Sequence, residues 1–213
     1  MRQKILASYT GWIILVNVIA FLGFLVMINY FGEESAVAWL AIQPAAILSG
    51  KYLWTFLTSM FMHAGLMHLF VNMLSLMFIG SFVERLIGKR RFLGIYFGAG
   101  LFAGLLFVLV AATTGTDLNI YAVGASGAIF GLGGLLAVLT PRLPVLVMFI
   151  IPMPMWAAMV VLMFGIWVFS LAAGLPIGNI AHLGGLLVGL GYGFYLKKKY
   201  PRKTKMISRY FSR

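Results

Sequence analysis

Six apolar runs, each ending at or near a short cluster of basic residues, constrain this chain more than any other feature. A helix needs roughly 20 residues to cross about 30 Å of hydrocarbon. Runs of that length or slightly less fall near 11–31, 66–84, 92–113, 126–140, 145–171 and 180–196. The fourth is short for a span and the sixth only just sufficient, so both are expected to begin below one membrane surface. Backbone polar groups in lipid must be satisfied within the element, which leaves helices as the spanning form for runs of this length. With 62% hydrophobic and 9% charged residues, against the quarter or so that a soluble domain carries, the chain reads as an all-α polytopic membrane protein of six spans.

The charges orient it. Arg2 and Lys4, Arg85, Lys89, Arg90 and Arg91, Arg142, and eight more from Lys197 to Arg213 all fall on one side of a six-span model, and only Lys51 falls on the other. Basic residues mark the cytoplasmic side, so both termini are expected there. The net charge of +12 does not indicate nucleic acid, because the cations sit in short clusters between apolar runs; lipid headgroups are the expected anionic partner. The N-terminal run is too long for a signal peptide h-region and reads as a retained helix. Residues 32–65 form a long connection rich in Trp, Tyr and Phe, which favour the headgroup level. No linker or long repeat divides residues 1–213, so one domain is expected, with a basic cytoplasmic tail from about 197. The absence of cysteine excludes disulfides and a thiol nucleophile.

Polar side chains inside spans are costly and point to function. Asn72 lies 13 residues before Arg85, Ser126 lies 16 before Arg142, and His182 lies 15 before Lys197. At a helical rise of 1.5 Å per residue these are heights of roughly 20, 24 and 22 Å. Three helices thus bring an amide, a hydroxyl and an imidazole to one level. Gly127, Gly131 and Gly134 share one face of the fourth helix, and His182, Gly185, Gly189 and Gly193 one face of the sixth, so close backbone approach is expected there.

Taken alone, a serine opening a helix is most often a cap, a lone histidine a satisfied polar residue, and a GxxxG a packing motif. Taken together, Ser126 and His182 have the makings of a nucleophile and its base. Helix-start N–H groups at Ser126 would face a developing oxyanion. In "HAGLMHLFVN", His68 and Asn72 are four apart and share a face, so both could donate to that oxyanion. His63 points elsewhere and reads as structural at the loop junction. Asp117 could complete a triad, but a dyad is simpler. There is no HExxH, cysteine or nearby carboxylate, so neither a metal nor another cofactor is expected.

These residues resemble the rhomboid family of intramembrane serine proteases, of the bacterial type with a six-helix core. The matching stretches are "HAGLMHLFVN", "GASG" (residues 124–127) and "AHLGGLLVG" (residues 181–189), in that order. The resemblance implies Ser126 as nucleophile, His182 as base, and His68, Asn72 and the Ser126 N–H as oxyanion hole. Gly124 would permit the tight approach, Gly127 follows the serine in the same motif, and Glu84 in "FVERLIG" would be a structural acid at the inner end of the second helix. It also implies transmembrane proteins as substrates, with small side chains beside the cut, and a bacterial plasma membrane as location. Two positions depart from the common pattern. Thr55 follows Trp54 where many members have Arg, and Phe130 stands where many have Tyr. Gly174, Pro176 and Gly178 are expected to break the chain after the fifth helix and let a substrate helix enter from the side. A silent relative that binds or escorts membrane proteins is the alternative, although one would normally lack Ser126 or His182. A small transporter would be expected to hold more polar groups at the midplane. Substrate and oligomeric state are not legible.

Overall fold

The computed structural model of the chain describes residues 8–147, 150–173 and 178–211. Arg2, Lys4 and Arg213 of the basic clusters, and Gly174 and Pro176 of the expected break, lie outside these. Among the described residues four helices are long and apolar enough to cross a bilayer, namely Tyr9–Phe31, Leu66–Ile87, Lys89–Thr114 and Met155–Ala173. A shorter apolar helix runs Ser126–Leu139, and a further helix runs Asn179–Lys199.

Helix α1 (Tyr9–Phe31) opens on Ser8, whose hydroxyl accepts the Gly11 N–H at 3.0 Å. It is apolar all round: Phe21 and Phe24 are buried, while Trp12, Ile19, Leu22 and Val26 are exposed. That pattern suits a helix with protein on one side and lipid on the other. The connection to the second span is built, not loose. It holds α2 (Glu33–Leu40), α3 (Pro44–Leu48) and α4 (Thr55–Thr58). Thr55, the departure from Trp-Arg, is buried with its hydroxyl donating to Tyr52 O at 2.7 Å. The anchoring comes from neighbours: Trp54 Nε1 donates to Trp39 O at 2.9 Å, and the Thr58 hydroxyl to Leu40 O at 3.0 Å. Trp39, Tyr52 and Trp54 form one aromatic cluster.

The second span is α5 (Leu66–Ser75) and α6 (Ser81–Ile87), joined by a π-helical turn at Leu76–Gly80. Gly80 in that turn lies against Thr10 of α1; a methyl there would stand 3.0 Å from the threonine Cγ2. At the lower end the Glu84 carboxylate, buried, accepts the Tyr9 N–H (3.0 Å), the Thr10 N–H (2.9 Å) and the Thr10 hydroxyl (2.7 Å). It therefore caps α1 from a neighbouring helix, with the negative group at the positive end of the helix dipole.

Helices α7 (Lys89–Thr114), α8 (Ser126–Leu139) and α10 (Asn179–Lys199) form the centre, with α8 packed against α7, α10 and α9 (Met155–Ala173). Every residue of α8 from Gly127 to Leu136 is buried. Backbone-to-backbone contact makes this possible: a Cβ on Gly185 would meet the Gly127 carbonyl, and one on Gly189 the Gly131 carbonyl. Glycine faces thus serve where lipid provides no hydrophobic drive between helices.

One expectation needs correction. The fifth apolar run does not become helical at 145. Residues Pro144–Val147 (β1) and Ile151–Pro154 (β2) pair antiparallel, and α9 starts only at Met155, so the fold is not purely α. Pro144, Pro152 and Pro154 explain this, since each lacks a backbone donor and clashes with a preceding turn. Beyond α10 and Tyr200 the basic stretch forms α11 (Pro201–Tyr210), with Pro201 at its first position.

Candidate active site

Ser126 is the first residue of α8, with Ala125 at the cap position, and no side chain caps this helix. Its hydroxyl instead lies 2.7 Å from His182 Nε2 on α10, 56 residues away in the chain. The imidazole is buried. Its ring is stacked on Phe130, one turn beyond Ser126, with centroids 4.6 Å apart and planes 16° from parallel. The second departure from the common pattern therefore keeps an aromatic face on the histidine. His182 Nδ1 is buried and has no hydrogen-bond partner among the described residues, so Asp117 completes no triad.

Gly124 precedes the serine by two residues with φ of +116°, in the region that favours glycine. Its N–H donates to Ser59 O at 2.8 Å, fixing the strand-like approach to α8. A Cβ there would stand 2.9 Å from both Cε1 and Nε2 of His68 and 3.7 Å from Ser126 Oγ. The second-span imidazole and the serine hydroxyl thus flank one glycine. His68 Nδ1 accepts the Ala64 N–H at 3.4 Å, which leaves Nε2 to carry the ring proton toward Gly124. Gly127, next after the serine, faces Ala103 of α7, where an added methyl would stand 2.7 Å from the alanine Cβ.

Asn72 is buried on the same face, one turn below His68. One of its amide N–H groups is bound at 2.8 Å to the His68 carbonyl of its own helix, so only the other can turn toward a ligand. His63 is fully buried at the loop junction, with Nδ1 3.3 Å from Phe61 O and its ring edge-on to His68 at 5.1 Å. Burial, then the nearby His68, pushes its pKa down to about 4, so it is neutral at pH 7 and acts as a wall behind His68. Glu84 belongs to the α1 cap described above. Among the described residues no three His, Asp or Glu side chains converge as a ligand set.

One contact escaped the sequence reading. Asn179, at the start of α10, donates to the Ser170 hydroxyl at 2.6 Å, and that hydroxyl donates to Trp167 O at 2.8 Å. It ties the end of α9 to the turn preceding His182. Two polar residues flanking the Gly-Pro break were the available signal.

Comparison with known proteins places these motifs in context. A family model described as Rhomboid domain matches residues 50–199, which include every residue of the candidate site described above. The chain is similar to RHOMBOID-like protein 2 of Arabidopsis thaliana, 40% identical over 145 residues, covering 67% of this chain and 42% of that protein. It is similar to rhomboid protease GluP of Bacillus subtilis, 39% identical over 106 residues, covering 49% and 19%. A third, inactive RHOMBOID-like protein 8 of Arabidopsis thaliana, is 37% identical over 89 residues, covering 42% and 24%. The chain spans less than half the length of each of these relatives. Their names include both a protease and an inactive protein. With a matching domain over more than half its length and apolar helices that make it an integral membrane protein, the chain belongs to the rhomboid family.

Proposed function

We propose that this chain is an intramembrane serine endopeptidase that cuts peptide bonds in or near transmembrane segments of other proteins. What supports the reading is one observation, the 2.7 Å contact between Ser126 Oγ and His182 Nε2 at the start of a buried short helix. On this reading six helices cross the membrane as a single domain, both termini face the cytoplasm, and the membrane is a bacterial plasma membrane. The short α8 starts below the outer surface, so water can reach Ser126 from outside through a cavity lined by protein.

A substrate helix, locally unwound, presents its carbonyl to Ser126. The hydroxyl oxygen attacks the carbonyl carbon while His182 Nε2 takes the hydroxyl proton. Negative charge moves to the carbonyl oxygen, held by the Ser126 N–H, His68 Nε2–H and the free N–H of Asn72. Collapse breaks the C–N bond, and His182 returns the proton to the leaving amine. Water then repeats the sequence on the acyl-enzyme and frees Ser126. The Phe130 face under the ring fixes its orientation and favours the transient imidazolium by a cation–π contact, a role that a carboxylate fills in triads. Acyl transfer by this pair calls for no metal, so chelators should leave the rate intact.

The test is cleavage of a generic transmembrane reporter by the purified protein, compared with its Ser126→Ala variant. Wild-type cleavage that the variant lacks is expected. Equal cleavage by both would overturn the assignment, and no cleavage by a folded wild-type protein would leave the binding or escort role.

A further inference from the structure

The basic end of the bundle carries a cavity unrelated to Ser126. Helix α11 crosses beneath the bundle, and the Phe211 that follows it meets Phe82 of α6, with ring centroids 5.8 Å apart. Between the two helices lies a groove of about 600 Å³. Phe82 and Leu86 form one wall, Met206, Ile207, Tyr210 and Phe211 the other, and among the described residues Arg85 is the one charged side chain lining it. Met206 and Tyr210 are 68% and 77% exposed, an apolar lip left open at the membrane surface.

Charge decides what fits. Arg202, Lys203, Lys205 and Arg209 ride on α11, while Met206, Ile207 and Tyr210 are its apolar residues, a basic amphipathic helix of the kind that lies in the headgroup region. The chain has four acidic residues, and Glu84 is the one at this end. Its carboxylate is buried and fully engaged by Tyr9 and Thr10. Among the described residues no other acidic side chain lies at this end to meet the positive field around the groove. An apolar trough beside a guanidinium, at the level where a helix ends, matches a molecule with a hydrocarbon chain joined to an anionic head.

We propose that the groove between α6 and α11 binds one anionic phospholipid, with an acyl chain along Phe82, Leu86, Ile207 and Phe211 and the phosphate facing Arg85 and the basic face of α11. Such a lipid would fasten α11 to the second span, the helix that also carries His68 and Asn72. A soluble acidic protein could use the same cations, but it would leave the trough beside Phe82 unfilled.

The experiment places the full chain in nanodiscs and compares photoactivatable phosphatidylglycerol and phosphatidylcholine, each with a diazirine in the acyl chain. Adducts are mapped by mass spectrometry. The glycerol lipid should label residues 82–86 and 206–211 in preference to the choline lipid. Arg85→Gln should lower that labelling by about fivefold, the effect of one cation at an anionic surface, and leave choline-lipid labelling unchanged. Met206→Glu, at an exposed position, is the second variant and should act in the same direction if Arg85→Gln does not fold. Equal labelling by the two lipids, adducts confined to other helices, or indifference to both variants would overturn the proposal. So would loss of the preference on adding inorganic phosphate, which would mean a headgroup site without a chain, or on adding a polyglutamate peptide, which would assign the surface to a protein.

Discussion

Gly124→Ala tests whether His68 faces the reacting carbonyl. Two costs can be worked out. With φ of +116° the backbone lies where an L-residue is strained, by roughly 1–3 kcal/mol. The new methyl would also sit 2.9 Å from Cε1 and Nε2 of His68. Carbon contacts settle near 3.5–4.0 Å, so the imidazole must withdraw by about 0.6–1.1 Å. A misplacement of about 1 Å costs on the order of 10²-fold in rate, and full loss of an oxyanion donor about 10²- to 10³-fold. The Ser126–His182 contact is made by other helices and stays in place. The variant should therefore show kcat lowered by about 10²- to 10³-fold with KM little changed, because the donor acts mainly in the transition state. Reporter cleavage in proteoliposomes, with thermal unfolding measured alongside, gives both parts. Gly98→Ala is the control: a Cβ there has nothing within 4 Å, and activity should stay at the wild-type level. A folded Gly124→Ala protein that cuts as fast as wild type would refute the placement of His68 in the oxyanion hole.

Asn72→Ala should be slow but alive, about 10²- to 10³-fold down in kcat in steady-state assays, since other donors remain; a folded variant at the wild-type rate would make Asn72 a packing residue. Glu84→Ala orphans three donors at the start of α1 and should cost about 3–5 kcal/mol in unfolding measurements, with the rate of the folded fraction unchanged. Because the chain lacks cysteine, a single cysteine at position 203 should react with impermeant reagents only from the cytoplasmic side, and labelling from outside would overturn the topology.

The pairing of Ser126 with His182 was legible because depth along a helix is a matter of counting, and glycine faces reveal which helices can touch. The direction of a side chain within its own helix is not. Asn72 is buried on the His68 face, yet one of its N–H groups is spent on the His68 carbonyl, a bond that no depth count can detect. The cap reading of Ser126 was open from sequence, and the structure turns its hydroxyl to His182 instead. Hydropathy runs also hide breaks made of apolar residues. Residues 145–154 are apolar enough to extend a span, but Ile151–Pro154, with two prolines, pairs as a strand with Pro144–Val147, and proline carried more information there than hydropathy. The π-helical turn at Leu76–Gly80 left no pattern, since an i→i+5 turn changes bonding without changing composition. In the long connection, Thr55 in place of Arg hid an anchor supplied by Trp54 and Thr58, residues already visible but without assigned partners.

Treating the purified protein with a fluorophosphonate, and following its intact mass and its reporter cleavage together, tests the roles of Ser126 and His182 most directly. One phosphonyl group per chain is expected, located on Ser126, with loss of proteolysis in step with labelling and little or no labelling of a folded His182→Ala variant. A protein that cuts the reporter while Ser126 stays unlabelled, or that is labelled at Ser126 in His182→Ala as fast as in wild type, would contradict those roles.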